Sequence, residues 1–365
     1  MKSKPQSTYA ARLGKLRARM LEERVDSLVV SSLPNVQYLT GFSGTEQGDG
    51  VILATLKNSM LFTDSRYDLA AHEEVRGSEV LIVKGGAFLA AVKRSRRSRG
   101  RVGFESGSVT YGAYQKLREL IGAKRLAPLS GLVESLRVAK DEEEIGEIRR
   151  AVEAGSKAFE ETLPHLREGI PERDVAAEIE YRMRLHGAER PSFETIVAYG
   201  ERSALPHARP GARKLRANEC VLMDLGAILD GYAGDMTRTV YFGRVSRKER
   251  DIYKAVLEAQ LEAESVVHAG IECAAVDRAA RKALERHGYA RYFTHSTGHG
   301  VGREIHELPR IAPKQRMKLP EGAVITVEPG VYIPGLGGVR IEDVVVVRKH
   351  GAEVLTPTSK ELTVL

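Results

Sequence analysis

A chain of 365 residues with 42% hydrophobic content can bury a sizeable core, and its length favours two domains over one. Its two cysteines, Cys220 and Cys273, are too few for a disulfide framework, and no apolar run approaches the ~20 residues that span a bilayer. The N-terminal segment MKSKPQSTYAARLGKLRARM has scattered charges and lacks the apolar stretch of a signal peptide, so we expect a cytoplasmic protein without a membrane partner.

The formal net charge of +7 raises the question of nucleic acid. Its densest local source is KRSRRSRGR, residues 93–101, with six basic residues in nine. Such a cluster can be an electrostatic footprint for a polyanion. Aromatic residues do not interleave with it, however, and a solvated surface turn before the strand RVGF explains it as well. We therefore predict that nucleic acid is not a partner.

The first part of the chain alternates helical and strand patterns, which predicts an α/β domain. The helical segments are YAARLGKLRARMLEER and VTYGAYQKLRELIG, and the predicted strands are DSLVVSS, GVILATL, SMLFTD and EVLIVK. Around APLSGLVESLRVAKDEEE the pattern gives way to a loop with Pro and Gly, followed by a charged helix that begins near Asp141. We therefore predict domains at residues 1–134 and 135–365.

The second part of the chain repeats an order of helices followed by strands. The first repeat has helical stretches at EEEIGEIRRAVEAGSKAFEETL and ERDVAAEIEYRMRLHG, then strands at ETIVAY, CVLMDLG and TRTVYFG. The second has helical stretches at RKERDIYKAVLEAQLEAESVVHAG and AAVDRAARKALERHG, then strands near AVITVEPGVYI and VRIEDVVVV. This order predicts a duplicated α+β unit.

Each repeat carries two acids in matched positions. The segments are VLMDLGAILDGYAGDMTRTVYF and VITVEPGVYIPGLGGVRIEDVVVV. Asp224 and Glu328 each stand two residues before a glycine, and Asp235 and Glu342 each follow on the next strand. Because an acid in an apolar strand is costly to bury unless it is paired or bound to metal, four such acids favour a metal site.

Four converging carboxylates balance the charge of two divalent ions, whereas one ion would leave the cluster strongly negative. The segment STGHGVGREIHE adds His299, which would be the nitrogen ligand, and His306. Oxygen-rich ligation with one imidazole favours Mn²⁺, Co²⁺ or Fe²⁺ over Zn²⁺. Two ions that share a water lower its pKa and stabilise the oxyanion formed when it attacks a carbonyl, so hydrolysis is the predicted reaction. His306 would hydrogen-bond that oxyanion or the leaving group.

Each of these residues also has an ordinary structural explanation when taken alone. A strand aspartate such as Asp224 is more often a turn or cap residue, and Glu342 beside Asp343 could be an edge-strand charge. A single histidine such as His306 is usually packed or at the surface. If the site bound no metal, each of the five residues in these matched hairpins would need its own structural explanation. We therefore favour the metal site.

The motifs MDLGA, GDMTRT, TGHGVG, IHE, VEPGVY and GGVRIED occur in the order and spacing of the pita-bread-fold metallopeptidases, which the second domain resembles. This superfamily includes methionine aminopeptidase, Xaa-Pro aminopeptidase, prolidase and creatinase. The segments NVQYLTGFSGT and LFTDSRY resemble the N-terminal domain of the Xaa-Pro branch. The resemblance implies a creatinase-like α/β N-terminal domain, a duplicated α+β pita-bread catalytic domain and a homodimer.

The resemblance also implies roles for individual residues. Asp224 and Asp235 would bind one metal, His299 and Glu328 would bind the other, and Asp235 and Glu342 would bridge the two. Further residues would serve catalysis, namely His207, His306 and Arg340, or bind substrate, namely His295, Arg310 and Tyr232.

The implied activity is removal of the residue before proline at a peptide N-terminus, with two ions, most simply Mn²⁺, and a hydroxide shared between them. An Xaa-Pro bond is a tertiary amide without an N–H on the proline side, so peptidases that hold that N–H fail on it. A prolidase restricted to Xaa-Pro dipeptides is an alternative, because Arg310 could bind a free carboxylate, although it could equally be a solvated loop residue. A non-catalytic binding protein on the same fold is a further alternative, against which the complete ligand set argues.

Overall fold

The structure is a computed structural model that describes residues 6–365. It divides into two compact units between Arg137 and Val138, whereas the sequence places the boundary at residue 134. The difference arises because a short helix, Leu132–Arg137, follows the loop with Pro and Gly and still packs in the first unit, where Leu132 and Val133 are buried. Within residues 6–365, no helix is both long and apolar enough to cross a membrane.

The first unit is built around one mixed sheet. Its elements in chain order are α1 (Gln6–Glu22), β1 (Ser27–Val30), α2 (Leu33–Thr40), β2 (Gly50–Thr55), β3 (Ser59–Thr63), α3 (Asp68–Glu74), β4 (Glu79–Ile82), α4 (Ala87–Ser95), β5 (Val102–Glu105), α5 (Tyr111–Ile121), β6 (Leu126–Leu129) and α6 (Leu132–Arg137). The strand order is β4-β3-β2-β1-β5-β6. The β1–β2 and β2–β3 pairs are antiparallel and the other neighbours are parallel.

Alternate residues of the central strand face two separate cores. Leu28 and Val30 of β1 pack with residues of α1, α2 and α6, whereas Val29 packs with residues of α4 and α5. Successive side chains of a strand point to opposite faces, so a strand covered by helices on both faces is apolar throughout. This layering agrees with the α/β pattern predicted from sequence.

The second unit contains longer helices and several smaller sheets. Its elements are α7 (Glu142–Thr162), α8 (Glu172–Leu185), β7 (Arg190–Pro191), β8 (Ile196–Tyr199), β9 (Glu219–Leu225), β10 (Ala227–Leu229), β11 (Tyr232–Ala233), β12 (Met236–Phe242), α9 (Arg247–Ser265), α10 (Cys273–Arg286), β13 (Gly298–Gly300), β14 (Glu307–Ile311), β15 (Val324–Val327), β16 (Gly330–Ile333), β17 (Gly337–Arg340), β18 (Asp343–Arg348) and β19 (Gly351–Val354). The main sheets have the orders β12-β9-β8 and β14-β13-β15-β18-β19. In addition, β10 pairs with β7 and β11, and β16 pairs with β17.

Two similar halves make up this second unit. Each half begins with a helix that has a capping box, formed by Asp141 and Glu144 at α7 and by Ser246 and Glu249 at α9. Residues of α7 and α8 share a core with β8, β9 and β12, and residues of α9 and α10 share another with β15, β17 and β18. Helices segregated against antiparallel strands, twice over, are the arrangement that the sequence repeat predicts.

Candidate metal centre and peptide pocket

The four acids singled out in the sequence stand at corresponding ends of two strand pairs. Asp224 is the next-to-last residue of β9 and Asp235 directly precedes β12, whereas Glu328 directly follows β15 and Glu342 directly precedes β18. Because β9 pairs with β12 and β15 with β18 in antiparallel register, both acids of each pair lie at one end of that pair. The matched hairpins therefore bring the four carboxylates together.

The imidazole of His299, in β13, meets these carboxylates. Its Nε2 lies 3.6 Å from Asp235 Oδ2 and 3.4 Å from Glu328 Oε1. Candidate ligand atoms of Asp235, His299 and Glu342 all lie within 4.8 Å of one another. Asp235 and Glu342 are buried, so these oxygen atoms face one another with little access to bulk water.

The hydrogen bonding of His299 shows which ring nitrogen is free. Its Nδ1 lies 3.1 Å from the carbonyl oxygen of Gly300, which can only accept, so Nδ1 carries the proton. Burial, together with the nearby His306, lowers the pKa of His299 to about 4, and the ring is therefore neutral near pH 7. The unprotonated Nε2 directs its lone pair at two carboxylate oxygens, an arrangement that a cation between them stabilises.

The carboxylates lack enough protein donors to be stable as anions by themselves. Burial, and next the charge of Glu342, raises the pKa of Asp235 well above its ordinary range, while burial raises the pKa of Glu328 to about 8. Burial, and next the charge of Glu328, also raises the pKa of Glu342. Asp224 Oδ1 is buried and accepts no hydrogen bond from any residue between 6 and 365. Four such carboxylates and one neutral imidazole fit divalent cations.

Arg340 is the main cationic partner of this cluster. Its Nη2 donates to Asp224 Oδ2 at 2.5 Å, and its Nε donates to Thr237 Oγ1 at 2.9 Å. Thr237 Oγ1 in turn donates to Glu342 Oε2 at 2.6 Å. Arg340 therefore orients Asp224 directly and Glu342 through a threonine hydroxyl.

Tyr332 joins Arg340 to His295 and is absent from the residues predicted by sequence. Its hydroxyl accepts from Arg340 Nη1 at 2.8 Å and lies 2.8 Å from His295 Nε2. His295 Nδ1 lies 2.8 Å from the carbonyl oxygen of Ser296 and carries the ring proton, so the tyrosine hydroxyl donates to Nε2. Burial, and next the charge of Arg340, lowers the pKa of His295 to about 4. The only sequence signal for Tyr332 is its place in VEPGVY.

The neighbour of Glu342 faces the opposite way. Asp343 Oδ1 accepts from Arg238 Nη2 at 2.7 Å, and Asp343 Oδ2 pairs with Lys360 Nζ at 2.7 Å. Strand β18, which Glu342 directly precedes, lies between β15 and β19 inside its sheet. The alternative that Glu342 is an edge-strand charge is therefore wrong.

The cluster lies in the wall of a cavity of about 740 Å³ that also contains most of the residues expected to contact peptide. The predicted site residues that line it are His207, Asp224, Asp235, His295, His299, His306, Arg310, Glu328, Arg340 and Glu342. The ring of His306 packs edge-to-face against that of His299 with centroids 4.3 Å apart. Burial lowers the pKa of His306. Arg310 Nε donates to Ser296 Oγ at 3.2 Å, and among residues 6–365 no carboxylate pairs with this guanidinium.

Tyr232, predicted to bind substrate, does not reach this cavity. Its side chain is buried in a core cluster with Ile145 and Val301. Its hydroxyl donates to Glu144 Oε1 at 2.9 Å, and the guanidinium of Arg303 lies 4.6 Å from its ring centre. Tyr232 belongs to β11, which pairs with β10 and thereby turns this side chain toward α7. We therefore correct that prediction and assign Tyr232 a structural role.

The contact between Gly298 and Thr326 explains why a glycine precedes His299. The backbone N–H of His299 donates to Thr326 Oγ1 at 3.1 Å, and this hydroxyl donates to Glu328 Oε1 at 3.1 Å. A Cβ at Gly298 would lie 2.0 Å from the carbonyl oxygen of Thr326. Only glycine lets these backbones approach closely enough for Thr326 to hydrogen-bond both His299 and Glu328.

Comparison with known proteins gives matches over both units. The sequence profile of metallopeptidase family M24 matches residues 146–349, and that of the Creatinase/Prolidase N-terminal domain matches residues 12–139. The Xaa-Pro dipeptidase of Pyrococcus furiosus is 39% identical over 353 residues, covering 96% of this chain and 99% of that protein.

Solved structures resemble the whole chain as well. An Xaa-Pro dipeptidase from Bacillus anthracis has a TM-score of 0.94 and 38% identity, covering 98% of this chain and 100% of the other. An X-Pro aminopeptidase from Thermotoga maritima has a TM-score of 0.87 and 35% identity, covering 93% of this chain and 98% of the other. The similarity therefore extends over both units and is not confined to the metal-binding motifs.

Proposed function

The chain belongs to metallopeptidase family M24, and from this premise we propose that it hydrolyses the bond between an N-terminal residue and a following proline. Membership confirms the predicted pita-bread architecture with a creatinase-like N-terminal domain. It also makes the chain a metallopeptidase that works with divalent ions. The specificity for proline rests on the similarity to proteins named Xaa-Pro dipeptidase and X-Pro aminopeptidase.

The observation that carries the proposal is a complete donor set in the wall of an open cavity. The donors are Asp224, Asp235, His299, Glu328 and Glu342. A binding protein that had lost catalysis would have no need to keep four carboxylates and a neutral imidazole facing one another, because their burial is costly without a cation. We therefore favour the enzyme over the non-catalytic alternative.

These five residues would hold two divalent ions, because four carboxylates balance the charge of two such ions. Oxygen-rich ligation with one imidazole favours Mn²⁺, with Co²⁺ or Fe²⁺ as substitutes and Zn²⁺ less suited. When bound, the ions would supply an activated water and stabilise negative charge on the carbonyl oxygen.

The remaining residues of the cavity would bind and orient the peptide. His306 is neutral near pH 7 because burial lowers its pKa, so its ring can donate a hydrogen bond to the oxygen of the scissile carbonyl as that oxygen gains negative charge. His207 lines the same cavity and would act on the leaving proline nitrogen, which must gain a proton when the bond breaks. His295 is held by Tyr332 and would contact the proline side.

Two arginines on the cavity wall bear on substrate length. Arg310 forms no ion pair with any residue in the described chain and can bind the free carboxylate that follows proline in a dipeptide. Arg209 also lines the cavity but pairs with Glu194 at 3.4 Å. We propose cleavage of Xaa-Pro-Xaa peptides as well as Xaa-Pro dipeptides, with strict dipeptidase activity as the second candidate because of Arg310.

The test is a product assay with Mn²⁺ on Ala-Pro, Ala-Pro-Ala and the matched peptide Ala-Ala-Ala. Release of alanine from the first two, but not from the third, supports the proposal. Hydrolysis of Ala-Pro alone moves the assignment to a dipeptidase, and turnover without a preference for proline contradicts it. A homodimer, also proposed from the resemblance, is tested by light scattering on the same preparation.

A further inference from the structure

The residue that follows His306 forms a buried ion pair. Lys140 Nζ is 2.7 Å from Glu307 Oε1, and the two side chains are only 2% and 4% exposed. Desolvating two charges costs about as much as their attraction returns, so such a pair is weak evidence of a stabilising role. The best-attested role of a buried ion pair is to select one conformation of the chain over others.

The carboxylate end of the pair is built into the loop that carries His306. The backbone N–H of Glu304 lies 3.5 Å from Glu307 Oε2. A Cβ at Gly302 would lie 2.3 Å from Glu307 Oε1, so a glycine is needed for the carboxylate to fit beneath this loop. The chain from 302 to 307 is therefore folded around the carboxylate of Glu307.

The ammonium end of the pair is held by a different part of the second unit. Lys140 precedes α7, and its backbone N–H donates to the carbonyl oxygen of Gly322 at 2.9 Å. The preceding residue, Ala139, forms an antiparallel bridge with Ala323, next to the start of β15. Because β15 leads to Glu328, the ion pair links the His306 loop to the strand that presents a ligand.

His306 depends on this link because its own side chain has few other restraints. Within residues 6–365 its imidazole forms no hydrogen bond, and its ring only packs edge-to-face against His299. His306 and Glu307 both line the cavity, but Glu307 directs its carboxylate to Lys140, whereas the ring of His306 lies against that of His299. The position of the imidazole is thus set by its backbone.

We infer that Lys140 is a positioning residue that acts through Glu307 to hold the imidazole of His306 at the scissile carbonyl. This inference rests on the proposed function, in which His306 contacts that carbonyl. Lys140 is not among the residues that line the cavity. Its loss should therefore impair turnover without removing metal or weakening substrate binding in proportion.

The experiment compares the kinetic constants of Lys140→Met and Glu307→Gln with those of wild type. Rates are expressed per molecule of folded, metal-loaded protein. We expect kcat on Ala-Pro to fall about 10-fold or more in Lys140→Met, since small misplacements of a catalytic group have large effects on rate. KM and metal content should stay unchanged, because a loss in kcat alone reports an interaction made only in the transition state. Glu307→Gln keeps a hydrogen-bond acceptor for Lys140 and should show a smaller loss.

A double-mutant cycle with His306→Ala distinguishes a positioning role of Lys140 from a general loss of folding or activity. If Lys140 acts only through His306, adding Lys140→Met to His306→Ala should not lower kcat further. A double variant whose loss in kcat equals the product of the two single losses would overturn the inference, as would wild-type kcat in Lys140→Met. Met183→Ala, a core change on α8 outside the cavity, is the stability control and should leave kcat unchanged.

A measurement independent of turnover keeps the two proposals apart. In isotope-labelled protein, the NMR signals of the His306 ring should shift or broaden in Lys140→Met, while those of His295 stay in place because Tyr332 holds that ring. Unchanged His306 signals would overturn the positioning role even if Ala-Pro hydrolysis is confirmed. If wild type fails to hydrolyse Ala-Pro, the proposed function falls, and the His306 signals still decide the inference. Glu307→Gln provides the same measurement if Lys140→Met does not fold.

Discussion

Removal of the metal should make stability fall as the pH rises, because buried carboxylates must then lose their protons. Burial raises the pKa of Glu328 in the folded chain from its ordinary value of 4.5 to about 8, so between these values the folded state holds a proton that the unfolded state has released. The stability due to this proton is present at low pH and is lost as the pH rises toward 8. Histidines such as His299 titrate around pH 6.5 in the unfolded state and have lowered pKa values in the folded state, so between pH 6.5 and 8 each one offsets this fall by only about 0.4 kcal/mol.

The size of this loss of stability follows from the pH range between 6.5, the ordinary pKa of histidine, and 8, the pKa of Glu328 in the folded chain. Each pH unit between 6.5 and 8 costs about 1.4 kcal/mol when one proton is at stake, so Glu328 alone accounts for roughly 2 kcal/mol. This is an upper figure for that residue because its side chain is 17% exposed. Asp235 and Glu342, whose pKa values are also raised by burial, act in the same direction.

The assay is urea unfolding of chelator-treated protein at pH 6.5 and pH 8, with metal-loaded protein measured in parallel. The free energy of unfolding of the metal-free protein should fall between the two pH values, and the loaded protein should change much less because bound ions keep the carboxylates ionised. Glu328→Gln removes the titrating group and should reduce the fall by up to roughly 2 kcal/mol. A metal-free protein equally stable at both pH values, or a Glu328→Gln variant with an unreduced fall, would refute the reasoning.

Three further outcomes are expected. Glu342→Ala should abolish peptidase activity and lower metal content by atomic analysis, because Asp343 faces the opposite side and cannot replace it; wild-type turnover would contradict the ligand assignment. His306→Ala should keep its metal and lose roughly 10²-fold in kcat, the usual scale for one oxyanion donor, whereas His299→Ala should lose metal. If these two variants behave alike, the division of roles is wrong. Arg310→Ala should reduce kcat/KM on Ala-Pro more than on Ala-Pro-Ala, by product chromatography, with Arg209→Ala as the matched control; equal losses on both peptides would remove Arg310 as the carboxylate partner.

The sequence predicted the long elements well because their hydrophobic periodicity is strong. The charged helix expected near Asp141 begins there, with Asp141 as its N-cap. The segment AVITVEPGVYI was predicted as one strand region, and the structure divides it into β15 and β16 around Glu328 and Pro329. The strand breaks there because Pro329 has no N–H to donate to a partner, and β16 then pairs with β17 instead of continuing the β15 ladder.

The prediction for Tyr232 failed for a reason that no local pattern could reveal. Tyr232 stands between Asp224 and Asp235 in sequence, and only the family resemblance implied that it binds substrate. The short pairing of β10 and β11 turns its side chain toward α7, where Glu144 accepts a hydrogen bond from its hydroxyl group. Tyr332, in contrast, was not predicted at the site. It reaches Arg340 and His295 only through the β16–β17 hairpin.

The sequence by itself determined the chemical types at the site and their pairing in two repeats. The costly placement of Asp224, Asp235, Glu328 and Glu342 in apolar strands is visible without coordinates, because an acid there needs a cation. Only the tertiary structure decided which side chains face the cavity and which support others. The direction in which a side chain points is set by strand pairing between residues far apart in the chain. The partners of the Lys140–Glu307 pair are likewise far apart in sequence, so no periodic pattern predicts their contact.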